Sequence, residues 1–252
     1  MQLQLCTWQE VESYLEGSTG IIIPIGSTEQ HGPTGFIGTD ALCPELIARG
    51  LGERLEAMVA PTIATGMAQH HLGFAGSVTF RPSTLMAVVQ DTVNSLARHG
   101  FDRFFFLNGH GGNIATVSAA FSEIYAESSL GTASHNRPSL RCRLQNWWDC
   151  EAVKGISAER FGDAEGSHAA ASEISLTYYG YPEDGARVAG AELSPKRAPK
   201  GTFYDAEDYR RRFPDGRIGS DPSLATAEIG KELYDAAVGD IAVKYQEFLA
   251  EA

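Results

Sequence analysis

Short apolar runs rich in β-branched or aromatic residues alternate along the chain with longer segments of helical spacing. The first run, Ile21-Ile22-Ile23-Pro24-Ile25, ends at Gly26-Ser27 and reads as a buried strand entering a loop. Pro24 lacks the N–H that a ladder needs, which points to an edge position or to the strand's last turn. Asp40 then opens a helix in which Leu42, Leu46, Leu51 and Leu55 recur at near-helical spacing. Met58 to Ile63 reads as a second strand. A loop rich in Gly and His (Thr65 to Gly76) follows, then a short strand from Ser77 to Phe80. Ser83 is placed to cap a helix carrying Leu85, Val88, Val89, Val93 and Leu96, and Gly100 to stop it. Arg103 to Leu107 is a strong strand, followed by a helix with Ile114, Val117, Phe121 and Ile124. Ser139 to Leu144 predicts another strand, and a helix runs from about Gly166 to Tyr179. Val188 to Phe213 is polar and irregular, and Leu224 to Leu249 forms a final helix or helix pair.

Strands alternating with helices predict an α/β fold with a doubly wound, mostly parallel sheet and helices on both faces. No Pro/Ser-rich linker, low-complexity run or fixed-period repeat divides the chain, so residues 1–252 are expected to form a single domain. In such sheets ligands sit beyond the carboxyl ends of the strands. The polar loops after Ile25 and after Leu107 both lie there, which puts their side chains on one edge.

The first of these loops reads Gly26-Ser27-Thr28-Glu29-Gln30-His31-Gly32-Pro33, with Asp40 shortly after. Glu29 and His31 are two residues apart, which in an extended segment aims both to one side. Glu, His and Asp together suit zinc, manganese or iron(II). Glu-x-His alone fits a solvated loop with a capping Asp40 equally well. The second loop is Asn108-Gly109-His110-Gly111-Gly112-Asn113. Its glycines let the backbone approach a ligand closely, and Gly112 and Asn113 open a helix whose free N–H groups face the site. A phosphate cradle competes, without the Walker or G-x-G-x-x-G spacing. In the third segment, Glu165 to Glu173, His168 and Glu173 stand about 1.4 helical turns apart and could border one cleft. A surface His at a helix start fits that segment too. A carboxylate at Glu173, among small apolar residues, needs a partner if buried, and a metal is one candidate.

Composition narrows the classes. A formal net charge of −12 repels nucleic acid and anionic membranes, leaving a small molecule as the expected partner. No apolar stretch approaches the ~20 residues that cross a bilayer. Residues Met1 to Glu10 lack the basic flank and apolar core of a signal peptide. Cys6, Cys43, Cys142 and Cys150 form no C-x-x-C pair and read as buried or idle thiols in a reducing, cytoplasmic setting.

The long first motif from Pro24 to Pro33, the following Asp40 and the Asn108–Asn113 motif resemble the signature of the creatininase (creatinine amidohydrolase) family. The likeness covers roughly residues 8 to 182, and Thr65-Gly66-Met67 to Gly76-Ser77-Val78 adds to it. It implies a three-layer α/β/α fold, a binuclear zinc or manganese centre, and a homo-oligomer, often a hexamer. Glu29, His31, Asp40 and His110 match the family's metal ligands, with Asp40 bridging two ions. His168 matches its catalytic histidine, and Glu173 the glutamate of its His-Ala-Gly-x-x-Glu segment. Two positions depart: Gly112 stands where creatininase itself has a metal-binding glutamate, and Ala170 where the family usually has Gly. The first counts against creatinine as substrate. Glu173 could replace the missing carboxylate.

The expected function is hydrolysis of a small amide, cyclic or open-chain, by metal-activated water. Formamide hydrolysis and peptide clipping on the same scaffold are the alternatives, and a non-catalytic ligand-binding α/β protein is the rival from another class. Substrate contacts are expected from His71, Trp148, Gly111, Gly112 and Asn113. His70 neighbours His71 in the same loop, and Trp147-Trp148 fits either an aromatic lid or plain packing. His99 reads as structural at a helix end, and His135 as exposed in a polar turn.

Overall fold

A computed structural model describes residues 1–131 and 139–251, so the polar turn holding residue 135 lies outside it. Among the described residues four strands form one parallel sheet: β1 (Gly20–Ile25), β2 (Met58–Val59), β3 (Arg103–Asn108) and β4 (Arg141–Asn146), in the order β2-β1-β3-β4. The central strands are apolar along their length because both faces are covered. Ile22, Phe105 and Leu107 point to one face, against α2 (Thr39–Leu55), α5 (Glu151–Arg160), α6 (Ala171–Gly180) and α9 (Ala227–Ala250). Ile21, Ile23, Ile25, Phe104 and Phe106 point to the other, against α1 (Trp8–Leu15), α3 (Pro82–Ala97) and α4 (Asn113–Ser129). Each fully buried Ile or Phe contributes roughly 1.5–3 kcal/mol, so this alternation fixes the strand register.

Several expectations need correction. β1 is a central strand, so Pro24 is not at an edge. It lies in the strand's last turn, on the side where β2 has ended, and its carbonyl accepts from Ile63 N–H. β2 itself keeps only two residues of the expected six, because Pro61 interrupts the run before an isolated bridge joins Ile63 to Ile25. Ser77 to Phe80 makes one antiparallel bridge, Thr28 to Val78, rather than a strand. Pro82 begins α3 behind Arg81, displacing Ser83 from the cap. α2 buries Cys43, Ile47, Ala48 and Leu51 rather than the stripe through Leu42 and Leu46. α6 starts at Ala171, several residues after Gly166, since Gly166 to His168 turn back to bridge Ile218. The C-terminal segment is one helix. The stretch expected to be irregular, Val188 to Phe213, contains the end of α7 (Pro182–Val188) and all of α8 (Ala206–Arg212). Arg217 braces this region: its fully buried guanidinium donates to Asp215 and to the carbonyls of Pro195, Lys196 and Ser220. His99 is exposed, two residues past α3.

The chain runs from β1 outward to β2, then returns to β3 on the other side of β1. The loops leaving β1 and β3 therefore diverge and open a crevice at the sheet's carboxyl edge. Among the described residues no helix is long and apolar enough to cross a membrane.

Candidate metal centre

Gly26 and Gly109 stand just beyond β1 and β3. A Cβ on either would lie 2.0 or 1.9 Å from the carbonyl oxygen of Asp40. Because both are glycine, the first turn of α2 packs directly on the strand ends and delivers Asp40 to the crevice. The helix is capped by Gly38, so Asp40 is spared from capping. Glu29 and His31 leave the loop after β1 toward the same point, and His110 arrives from the loop after β3.

The side chains meet in two overlapping groups. Glu29, Asp40 and His110 form one; His31, Asp40 and Glu173 form the other, and each set places its donor atoms within 4.8 Å of one another. His110 Nδ1 lies 2.8 Å from Asp40 Oδ2, and its Nε2 lies 3.3 Å from Glu29 Oε2. His31 Nε2 lies 3.0 Å from Asp40 Oδ1 and 3.7 Å from Glu173 Oε1. Asp40 belongs to both groups. Glu173 reaches the second because it turns back toward the start of α6, where it accepts the Ala170 N–H at 2.6 Å.

Both oxygens of Glu29, which is fully buried, and Oδ2 of Asp40 receive no hydrogen bond from the described residues. A buried carboxylate without donors is costly, and a divalent cation removes the cost. Three carboxylates and two imidazoles are a donor set suited to one or two such ions.

The electrostatics show the same demand for positive charge. Burial opposes protonation of His31, yet Asp40 and Glu173 outweigh it and hold its pKa at about 10. Burial likewise works against His110, but Glu29 and Asp40 bring it to about 9. Burial would raise Asp40; the two histidines instead hold it well below the usual carboxylate range. Glu29 is raised by burial, with His110 opposing, and burial takes Glu173 to about 7. Without an ion, the protons on His31 and His110 stand where cationic charge is needed.

A second set of histidines surrounds this centre and is neutral. Burial, then neighbouring imidazoles, lowers His71 to about 3 and His70 to about 4, and holds His168 well below its ordinary value. His71 Nε2 and His168 Nδ1 lie 3.1 and 3.8 Å from Glu29 Oε1. His168 also completes a third possible ligand group with Glu29 and His31. A cavity of about 640 Å³ opens over the centre, lined by His70, His71, His168, Gly111, Gly112 and Trp148 among others.

Asn113 is not in that lining. Its buried amide is consumed by Gly26 O, Asn108 Oδ1 and the Met67 N–H, so it clasps strand ends instead of meeting substrate. The sequence left Trp147 open between lid and packing, and it pointed to no role for Tyr209 or Gln30. Trp147 is buried and lines the cavity with an indole N–H that has no acceptor among the described residues. Tyr209 and Gln30 pack beneath the histidines. Tyr209 stands outside any motif, and Gln30 lies inside one without a titratable side chain to mark it.

The departure at Gly112 is built into the backbone. A Cβ there would lie 2.4 Å from His110 Nε2 and 2.6 Å from the Met67 carbonyl. A glutamate at this position displaces His110 before it can ligate anything. Gly112→Glu is therefore expected to cost about 1–3 kcal/mol in denaturant unfolding and to weaken ion binding. Tighter binding with unchanged stability would refute the steric argument.

The family model for Creatininase (creatinine amidohydrolase) matches residues 4–244. The creatinine amidohydrolase of Pseudomonas putida is 34% identical, over 96% of this chain and 94% of its own. The mycofactocin precursor peptide peptidase of Mycobacterium tuberculosis is 29% identical, over 88% and 83%. Solved creatininases in manganese and zinc–zinc forms share the fold, with TM-scores of 0.83 and 0.82 at 24% identity. They align over 99% of this chain and 99% and 98% of theirs. Strand-end loops that converge on a carboxylate–histidine cluster and a family match over nearly the whole sequence agree: this chain belongs to the creatininase family of hydrolases acting on carbon–nitrogen bonds.

Proposed function

We propose that the chain hydrolyses a small amide at a two-ion centre held by Glu29, Asp40 and His110 on one side and His31, Asp40 and Glu173 on the other. The observation that carries this reading is Asp40, which belongs to both groups, while Glu29 receives no hydrogen bond from the described residues. A divalent ion held there, zinc, manganese or iron, would supply Lewis acidity and bring the pKa of a water down toward ~7. The protein's part is to orient and to move protons. His168, neutral and beside Glu29, accepts a proton at Nδ1 and passes it to the leaving nitrogen. His71, Trp148 and the backbone at Gly111 and Gly112 line the space for the amide. Asn113 holds the loops in place.

Creatinine is a candidate by analogy with the 34% identical enzyme of Pseudomonas putida, with Gly112 in place of a glutamate weighing against it. One observation favours a second reading: a cavity of about 640 Å³ is of the size that takes a drug-sized ligand, more than a single ring fills. A formamide on a larger framework or a peptide end fits that volume better, and the Mycobacterium tuberculosis relative is a peptidase.

Two measurements test the proposal. Metal analysis is expected to find one to two divalent ions per chain, and a screen of creatinine, N-formyl compounds and short peptides to find one class turned over. A metal-free protein inert toward all three points instead to a ligand-binding role. His168→Ala is expected to keep its metal and lose roughly 10²–10⁴ of turnover. Unchanged turnover removes His168 from the mechanism. The same reading takes residues 1–252 as one domain of a cytoplasmic homo-oligomer, hexameric by family resemblance. Light scattering of the purified protein checks the subunit number.

A further inference from the structure

Gln30 lies between Glu29 and His31, yet its side chain takes no part in the ion site. It is buried against two histidines of the cavity. The groups around it determine where the protons sit. Gly216 O, 2.9 Å from Gln30 Nε2, only accepts; the Gly32 N–H, 2.9 Å from Gln30 Oε1, only donates. The amide is therefore oriented with Nε2 toward Gly216. Its second N–H has His71 Nδ1 at 3.0 Å and His168 Nε2 at 2.9 Å. His168 Nε2 also lies 2.8 Å from the backbone carbonyl of Gln30, an acceptor only, so this nitrogen carries a proton and cannot accept another. The Tyr209 hydroxyl, farther off at 3.4 Å, spends its own proton on Gly216 O. The second amide N–H goes to His71 Nδ1, and neutral His71 then carries its proton on Nε2.

We propose that Gln30 is a positioning residue that sets His71 and His168 in complementary roles, its side-chain amide making His71 an Nε2–H donor and its backbone carbonyl leaving His168 with a free Nδ1 lone pair. The two nitrogens face the same atom, Glu29 Oε1, at 3.1 and 3.8 Å, and neither hydrogen-bonds to it. The rings are stacked, with centroids 4.4 Å apart and planes at 27°. One point of the centre is thus flanked by a donor and an acceptor. An amide there meets the His71 N–H at its carbonyl oxygen, where negative charge develops as the carbon becomes tetrahedral. His168 Nδ1 takes the proton shed by the attacking water and returns it to the leaving nitrogen, so no net proton is consumed. These catalytic roles rest on the proposed amide hydrolysis; the proton positions do not.

Two-bond ¹H–¹⁵N spectra of the zinc-loaded, ¹⁵N-histidine-labelled protein read the tautomers directly, with His71→Asn and His168→Asn for assignment. Both rings are expected as the neutral Nε2–H form near pH 7. In Gln30→Glu the carboxylate cannot donate to His71 Nδ1, so His71 is expected to gain a proton there, while His168 keeps its form and zinc content is unchanged. With creatinine as the probe amide, kcat is expected to fall ~10²–10³-fold, the scale of one lost oxyanion donor, and KM to change little. Wild-type His71 protonated at Nδ1 overturns the proposal, and that spectrum decides even if Gln30→Glu fails to fold. Loss of zinc from the variant also overturns it, by showing that Gln30 acts through the ligands. The expected tautomers in a protein that hydrolyses no amide leave the positioning intact and sink the proposed function instead.

Discussion

Replacing Asp40 with alanine is expected to strip the centre of both ions and to lower turnover by ~10³-fold or more, about 4 kcal/mol of transition-state stabilisation. Asp40 Oδ1 lies beside His31 and Oδ2 beside His110, so a single truncation removes the group common to both sets. No neighbour can take its place, because the first turn of α2 is locked against Gly26 and Gly109. The chelated variant should also be less stable than the chelated parent. Two imidazoles buried with their protons lose the anion that favours those protons, and breaking such a pair costs about 3–5 kcal/mol. Inductively coupled plasma analysis gives the metal content, and urea unfolding the stability. A variant that retains two ions would show that Asp40 does not join the two groups.

Ion uptake should be strongly pH-dependent and should release protons. In the chelated protein near pH 7, His31 and His110 are both protonated, with pKa values of about 10 and 9, and an ion needs their lone pairs. Loading both sites therefore expels about two protons, one at each ion, and the combined affinity should climb about a hundredfold per pH unit up to pH 9, about tenfold for each ion. The slope halves between 9 and 10 and then vanishes. Below pH 7, Glu173 adds a third proton to the release.

The effect on stability follows with a definite sign. Both histidines have folded-state values above their ordinary 6.5, so the stability they lend the chelated protein is complete below about pH 6.5. It is lost as pH rises through 9 and 10. The loaded protein does not depend on those protons, and ions roughly a thousandfold above Kd add about 4 kcal/mol. The gap in Tm between loaded and chelated forms should thus be ~8–16 °C and widen with pH. Calorimetry in buffers of different ionisation enthalpy counts the protons. A release near zero would mean that the histidines are neutral before the ion arrives.

Much of the centre was legible in the sequence because it is local. Glu29 and His31 share one loop, His110 has glycines on both sides, and each loop follows a strand whose apolar run is unmistakable. Asp40 was legible as the polar residue opening the next helix, though its freedom to face the crevice depends on two glycines from different strands. The capping box from Thr7 to Glu10 was also present and marks α1, a helix the hydrophobic pattern alone passed over. Asn113 was misread. A helix start suggests free N–H groups, but the side chain there is used to clasp three backbone and side-chain groups from other segments.

Hydrophobic alternation, strand-end loops and the chemistry of Glu29, His31, Asp40 and His110 thus determined the fold class and the kind of centre, since each is a property of a few adjacent residues. Tertiary structure alone decided that Pro24 sits in a central strand, that Glu173 turns back toward His31, and that Gly112 leaves no room for a side chain. It also decided the role of Gln30, whose partners His71, His168 and Gly216 lie 41, 138 and 186 residues away in the chain. A hydrogen bond is set by direction and distance in space, and a spacing along the chain holds that information only when both partners share one turn or one strand.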